Sequence, residues 1–308
     1  MTRTVFIDGG AGTTGLEIAE RLAGRAEFTL VKLAEARRKD AGARAVALNA
    51  ADFAILCLPD EAAREAVALI DPGSATRVID ASSAHRVAPG WTFGFPELVG
   101  REKVAAATRV SNPGCYSTGF IALVAPLVGH GLLPADWPYA CHAVSGYSGG
   151  GKALIARFEG DPDIAFRDYA LTLGHKHVPE MQHQCGLAHA PLFAPAVIGA
   201  HRGMVVEVPL HLALMERAAP VGELRDRLRD FYRGSAVVRV HADSPDELLL
   251  RRSDAPSDRL DLYVFGSPDG AHARLVAVLD NLGKGASGAA VQSLNLMAGL
   301  AETAGLRL

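Results

Sequence analysis

The glycine pattern Gly10-Ala-Gly12-Thr-Thr-Gly15 constrains this chain more than any other feature, because of what flanks it. Val5-Phe-Ile before it reads as a strand and Leu16–Leu22 after it as a helix. At such a junction glycine permits a tight turn and close approach of backbone to a pyrophosphate, and the free N–H groups of the first helical turn face the anion. An ordinary glycine turn uses the same letters, so it is the strand-to-helix context that favours a dinucleotide site, with Gly10, Gly12, Thr13, Thr14 and Gly15 as its cradle. Strand-like runs at Phe28–Leu33, Phe53–Leu58 and Arg77–Asp80, with a helix over Glu61–Ile70, continue the alternation. That rhythm predicts right-handed βαβ crossovers and a parallel sheet.

Beyond Cys115 the texture changes. Strand-like runs at Ala140–Val144, Met204–His211, Ala236–Val240, Leu260–Phe265 and Ala273–Leu279 predict a second, largely antiparallel domain with helices on it. Val221–Phe231 has one apolar face, and Ala289–Leu300 has helical spacing. A length of 308 residues suits two domains of ordinary size. The net charge of -3, spread without a basic stripe, argues against a nucleic-acid partner. The longest apolar run, Phe120–Val128, is too short for a bilayer, and the N-terminal residues lack the apolar core of a signal peptide. Cys57, Cys115, Cys141 and Cys185 form no CxxC pair, which predicts a reduced, cytoplasmic protein.

Chemistry-bearing residues fall into five places. Glu35 lies about 20 residues past the glycine loop, where a ribose-binding acid sits, but Arg37, Arg38 and Lys39 follow it. Those cations suit a 2′-phosphate and favour NADP over NAD. Cys115 follows Ser111-Asn-Pro-Gly at the predicted start of a helix, where the dipole and free N–H groups favour the thiolate and hence a nucleophile. In the segment Tyr169 to Glu180, His175 and His177 would share one face if extended. A histidine near a cysteine can take its proton and later return it. A metal pair with Glu180 or His183 is the weaker reading, and no metal is expected. Finally, Gly146-Tyr-Ser148-Gly149-Gly-Gly-Lys152 nearly matches a phosphate loop but has Ala153 where magnesium needs a hydroxyl. It reads instead as a glycine-rich loop approaching a cofactor or substrate, as does Asp280–Gly288 ahead of the terminal helix.

Taken together, five segments resemble the N-acetyl-γ-glutamyl-phosphate reductase family in its shorter type: Phe6–Glu17, Ser111–Gly119, Ala143–Lys152, His175–Glu180 and Asp280–Gln292. Ser117 departs from the longer type, which more often has proline or a small apolar residue there. The resemblance runs end to end and implies an α/β fold, with an N-terminal Rossmann NADP-binding domain (1–114) and an α+β catalytic and oligomerisation domain of the semialdehyde-dehydrogenase type (115–283). A C-terminal helix (284–308) would return to the first domain. It implies Cys115 as nucleophile, His177 as acid–base, and Tyr169 and His175 on the substrate. Asn281 would lie near the nicotinamide, with Ser148 and Gly149 also on the cofactor, and Arg86 is the candidate clamp for a phosphate or carboxylate. The implied substrate is a small acyl phosphate, reduced in arginine biosynthesis by a homo-oligomer, dimer or tetramer. Aspartate-semialdehyde dehydrogenase, a carrier-linked aminoadipyl-phosphate reductase and an idle NADP-binding regulator are the competing readings.

Overall fold

A computed structural model describes residues 2–243 and 245–308, so Met1 and Ser244 lie outside it. The chain divides into two compact units, one of residues 1–114 with 286–306 and one of residues 115–285 with 307–308.

In the first unit β1 (Arg3–Asp8) leads through the glycine turn into α1 (Thr13–Leu22), then β2 (Phe28–Val31). The helix α2 (Ala41–Ala50), β3 (Phe53–Leu56), α3 (Asp60–Ala68) and β4 (Arg77–Asp80) follow. A short β5 (Thr92–Phe93), the helices α4 (Pro96–Val99) and α5 (Arg101–Ala106), and β6 (Arg109–Ser111) complete this stretch. The sheet order is β2-β1-β3-β4-β6-β5, and every pairing is parallel. All four residues of β3 are buried, as expected of a strand with helices on both faces. Successive residues split between the faces: Val5, Ile55 and Ile79 belong to one core, Phe6, Leu56 and Val78 to the other.

The helix α2 is absent from the sequence reading, yet its start signal is plain. Asp40 caps it, its Oδ1 accepting the Ala43 N–H at 2.7 Å, and an alanine-rich run follows. The helix after the glycine loop begins at Thr13, three residues before the apolar periodicity that marks it in the sequence. Its first turn is the glycine motif itself, whose letters do not advertise a helix.

In the second unit α6 (Cys115–Gly129) precedes β7 (Ala140–Gly146), α7 (Gly151–Gly160), β8 (Phe166–Asp168) and α8 (Val178–Cys185). Then come β9 (Leu192–Ile198), β10 (Met204–Leu210), α9 (Val221–Phe231), β11 (Val238–Val240), β12 (Leu260–Gly266) and β13 (Ala273–Leu279). The sheet runs β11-β12-β13-β10-β7-β9-β8. Four of its six pairings are antiparallel, as the sequence leads one to expect, while β7 pairs β9 and β11 pairs β12 in parallel. The first parallel pair needs a crossover, which α7, β8 and α8 supply, and the sequence reading had missed β9.

The helices α6 and α9 cover one face of this sheet. On the other face register brings Val144, Val205 and Val278 into one row, with Glu207 and Tyr263 in the next and Arg274 and Phe265 in a third. The three valines and both aromatic rings are only half-buried, and Arg274 grips Glu207 at 2.6–2.9 Å. Past β13 the chain makes a π-helical turn, Gly283–Ser287, and enters α10 (Gly288–Met297). Ala290, Val291, Leu294 and Met297 of α10 join the core of the first unit beside Val5, Ile18 and Ile79.

Candidate active site

The first unit carries a cleft of about 930 Å³ at the carboxyl end of β1, lined by Gly9, Gly10, Leu33, Glu35, Arg38 and Arg44 among others. Gly9 has φ +80°, and a Cβ there would lie 2.2 Å from the Cys57 carbonyl oxygen, so the turn admits no other residue. A Cβ on Gly15 would meet the Gly10 Cα at 2.8 Å. The N-terminus of α1 has no side-chain cap, and the buried Thr13 Oγ1 has no hydrogen-bond partner among the described residues. Uncapped amides and a spare hydroxyl behind a glycine turn fit a dinucleotide pyrophosphate.

Of the cations read from sequence, Arg38 lines the cleft and pairs with Glu35 at 3.8 Å. Arg37 is not among the lining residues; it pairs with Asp40 at 3.6 Å, on the exposed turn before α2. Arg44 is the residue that sequence reasoning missed. It is buried and donates to Asp8 Oδ2 from Nε at 3.0 Å and Nη2 at 2.9 Å. The helix α2, itself unread, is what delivers it.

Arg86 is buried in the same unit, and its Nε donates to the Asn112 carbonyl at 3.1 Å. The loop that carries it is tied down by Asp80, which is wholly buried. Asp80 accepts the Ser82 N–H at 2.9 Å and hydroxyl at 2.8 Å, and lies 2.6 Å from His85 Nδ1. His85 stacks on Trp91 at 4.1 Å.

In the second unit Cys115 is the first residue of α6 and half-buried. The π-turn presses against it: a Cβ on Gly285 would come within 2.9 Å of the Cys115 Cβ. Around the next residue, Tyr116, gather His175 (ring centroids 6.0 Å apart), His177 (5.8 Å) and Phe193 (5.3 Å). Tyr169 Oη lies 3.2 Å from His175 Nε2, and His175 Nδ1 accepts the His177 N–H at 3.1 Å. His177 is buried and immediately precedes α8. No strand runs through 171–177, so the condition under which the two histidines would share an extended face is not met. Pro179 at the head of α8 and the turn before it bring their rings to 4.7 Å at 80°. That turn includes two non-glycine residues at positive φ, Ala170 (+55°) and Leu173 (+64°), a strained path that places Tyr169 on His175.

Asn281 Nδ2 donates to Ser148 Oγ at 2.9 Å, and a Cβ on Gly149 would lie 3.4 Å from that nitrogen, so these three predicted residues do meet. Asn281 Oδ1 accepts the Gly203 N–H at 3.0 Å. Beside it the buried Asp280 accepts from Arg202 Nη1 at 2.8 Å, a contact not anticipated from sequence. Among the described residues no three His, Cys, Asp or Glu side chains converge as metal ligands, and no helix is long and apolar enough to cross a membrane.

Burial sorts the thiols. It pushes Cys57 up to about 12, with Asp80 and Asp8 adding to the effect, and raises Cys141 and Cys185 as well. A raised thiol is neutral at working pH; a value near 12 leaves about one part in 10⁴ as thiolate at pH 8. Iodoacetamide at that pH is expected to label Cys115 first, the half-buried Cys57 far more slowly because its thiol is held neutral, and the buried Cys141 and Cys185 only once the protein unfolds, as peptide mass spectrometry would read. Cys57 labelling as fast as Cys115 would contradict this.

Sequence relatives agree with that geometry at two levels. Residues 4–107 match the semialdehyde dehydrogenase NAD-binding domain and residues 115–281 the semialdehyde dehydrogenase dimerisation domain, which is the class this fold and thiol define. Aspartate semialdehyde dehydrogenase II from Vibrio cholerae superposes with a TM-score of 0.68 at 17% identity, covering 96% of this chain and 98% of that one. The Francisella tularensis aspartate semialdehyde dehydrogenase gives 0.69 at 14% identity, covering 96% and 100%. Identities that low speak for the fold alone. N-acetyl-gamma-glutamyl-phosphate reductase 2 of Nostoc sp. is 49% identical over 98% of both chains, and the N-acetyl-gamma-glutamyl-phosphate reductase of Rhizobium meliloti is 48% identical over 96% of this chain and 99% of its own. This chain belongs to the N-acetyl-γ-glutamyl-phosphate reductase family.

Proposed function

We propose that the protein reduces N-acetyl-L-glutamyl 5-phosphate to N-acetyl-L-glutamate 5-semialdehyde and phosphate, with NADPH, in arginine biosynthesis. The observation that carries this reading is a half-buried thiol at the head of α6, backed by the π-turn, in the same unit as the buried His177 and the half-buried His175 beside it. The Cys115 thiolate attacks the acyl carbon; the C–O bond to phosphate breaks, and a thioester forms. When bound, NADPH supplies the hydride. Uncapped amides of α1, Thr13 and the glycine turn hold its pyrophosphate, and Arg38 and Arg44 face its adenosine side. Asn281, Ser148 and Gly149 are the group offered to the nicotinamide. His177 holds the proton that passes to the carbonyl oxygen and takes it back as aldehyde leaves and the Cys115 thiolate re-forms. Arg86 is assigned to the anionic end of the substrate, and Tyr169 and His175 wall its seat.

We also infer a homo-oligomer assembled through the half-buried face of the second sheet, where valines, aromatic rings and the Arg274–Glu207 pair line up. Four free thiols suit a reducing cytoplasm.

The test runs the reaction backwards. N-acetylglutamate semialdehyde and NADP should yield NADPH only when phosphate is present, with aspartate semialdehyde inert. Turnover of aspartate semialdehyde alone would keep the thioester chemistry and reject the acyl group. No turnover of either, with NADPH still bound, would favour a carrier-linked substrate or a regulatory role.

A further inference from the structure

NADP differs from NAD only by a phosphate on the adenosine ribose, and a protein that prefers NADPH reads that phosphate with a cation. In a βαβ dinucleotide unit the ribose 2′ position falls beyond the second strand, where an acid selects the hydroxyl and an arginine accommodates the phosphate. The cleft wall there is made by Leu33, Glu35, Arg38 and Lys39 after β2 and by Arg44 from α2. The Glu35 and Arg38 side chains are exposed and pair at 3.8 Å, and Lys39 is exposed as well. Cations on an exposed turn discriminate weakly, because solvent and salt screen them and their geometry is loose. Arg44 is built differently. It is 9% exposed and lies on the buried face of α2 with Ala43, Ala47 and Leu48. Its Nε and Nη2 both donate to one oxygen of Asp8, Oδ2, at 3.0 and 2.9 Å. Asp8 is fixed in turn at the end of β1, where its carbonyl accepts the Cys57 N–H at 2.8 Å. The guanidinium is therefore held by one edge. Its Nη1 corner lies on the side away from Asp8, and Arg44 makes no other hydrogen bond or ion pair among the described residues. A planar fork fixed on one edge, in the wall of a cleft, is preorganised for a phosphate. The pyrophosphate has its own seat at the uncapped amides of α1, which leaves Arg44 for the ribose end.

We propose that Arg44, gripped by Asp8, is the residue that sets the preference for NADP over NAD, by binding the 2′-phosphate, and that the exposed Arg38 contributes little to it. The inference deepens the NADPH reading of this cleft and rests on it.

Binding, rather than turnover, provides the test. Fluorescence titration of the purified protein should give a lower Kd for NADPH than for NADH, and calorimetry should show adenosine 2′,5′-bisphosphate binding more tightly than AMP. Arg44→Gln should weaken NADPH and adenosine 2′,5′-bisphosphate roughly 100-fold, the scale of charge-assisted bonds to a phosphate, while NADH and AMP change less than about threefold. Arg44→Lys keeps a charge for Asp8 but not the fork, and should lose about tenfold on the two 2′-phosphate ligands alone. Arg38→Gln should lose about threefold or less on the same ligands. Equal weakening of all four ligands in a folded Arg44→Gln protein overturns the proposal, since Arg44 would then hold α2 or meet the adenine. So does an Arg38→Gln protein that loses the preference while Arg44→Gln keeps it. Should Arg44→Gln fail to fold because Asp8 is left buried without its partner, Arg44→Lys decides the matter. If the unsubstituted protein binds none of the four ligands, the NADPH reading falls and this inference with it. If it binds all four without regard to the 2′-phosphate, the dinucleotide site stands and this inference alone is overturned.

Discussion

Replacing Cys115 with serine is expected to lower kcat on the order of 10⁴-fold, about 5.5 kcal/mol of activation free energy, with the fold and NADPH affinity unchanged. The alcohol of serine is isosteric but far less acidic than a thiol, and an ester formed through it would be a poorer hydride acceptor than a thioester. The substitution adds no volume at the contact with Gly285, so the π-turn keeps its place. The cofactor residues of the glycine turn lie in the other unit, and their integrity is read separately by nicotinamide fluorescence on titration with NADPH. A Cys115→Ser protein within tenfold of the parent in single-turnover reduction would end the covalent mechanism. Loss of NADPH binding in a folded variant would show that Cys115 acts on the cofactor site rather than on the acyl group.

The largest effect on stability is expected at Gly283. A Cβ there would lie 1.8 Å from the backbone oxygen of Ser257 and 3.1 Å from Asp258 Oδ1. Backbone cannot swing aside as a flexible side-chain end can, so Gly283→Ala must shift either the π-turn or the 257–258 segment. Both are held. Asp280 accepts the Leu282 N–H at 2.9 Å and the Ser257 N–H at 3.3 Å, and Asp258 accepts the Arg307 N–H at 2.7 Å. Overpacking against fixed atoms costs about 3 kcal/mol at the upper end of its usual range. At roughly 2–4 °C per kcal/mol for a unit of this size, the melting temperature should drop by about 6–12 °C. Because the turn runs on to Gly285 against Cys115, the thiol should also alkylate at a changed rate. A variant that melts within a degree or two of the parent would show that the turn has slack the structure does not suggest.

Fold class was written plainly in the first hundred residues. The buried strands are short and apolar and alternate with helices, and Val5, Ile55 and Ile79 from three of them land in one core. The second sheet was less legible. Pro195 in the middle of Leu192–Ile198 speaks against a strand, yet β9 tolerates it and pairs β7 across its whole length. Within the site, Cys115 stood out because a turn motif precedes it, and Asn281 and Ser148 because glycines surround them. Tyr116, Arg44 and Arg202 were invisible. Each owes its place to a partner distant in sequence: Ala196, Asp8 and Asp280 respectively. Local pattern announces a backbone that must bend, whereas a side chain aimed by tertiary contact leaves no local trace. Arg37, read from its cationic neighbours, pairs with Asp40 at 3.6 Å on an exposed turn.

The return of α10 also orders events in time. Val5, Ile18, Phe53 and Ile79 share one core with Ala290, Val291, Leu294 and Met297, so some 170 residues separate the two halves of a single apolar cluster. During synthesis the amino-terminal unit emerges first but cannot close that face of its sheet until the whole second unit has been made. Until then Val5, Ile55 and Ile79 are exposed along one side of a half-built Rossmann domain, a surface that invites association with other chains. The second unit, continuous from 115 to 285 apart from two terminal residues, has no such wait. A nascent chain of this protein is therefore most vulnerable late in its synthesis, and it is released from that state by a single ten-residue helix.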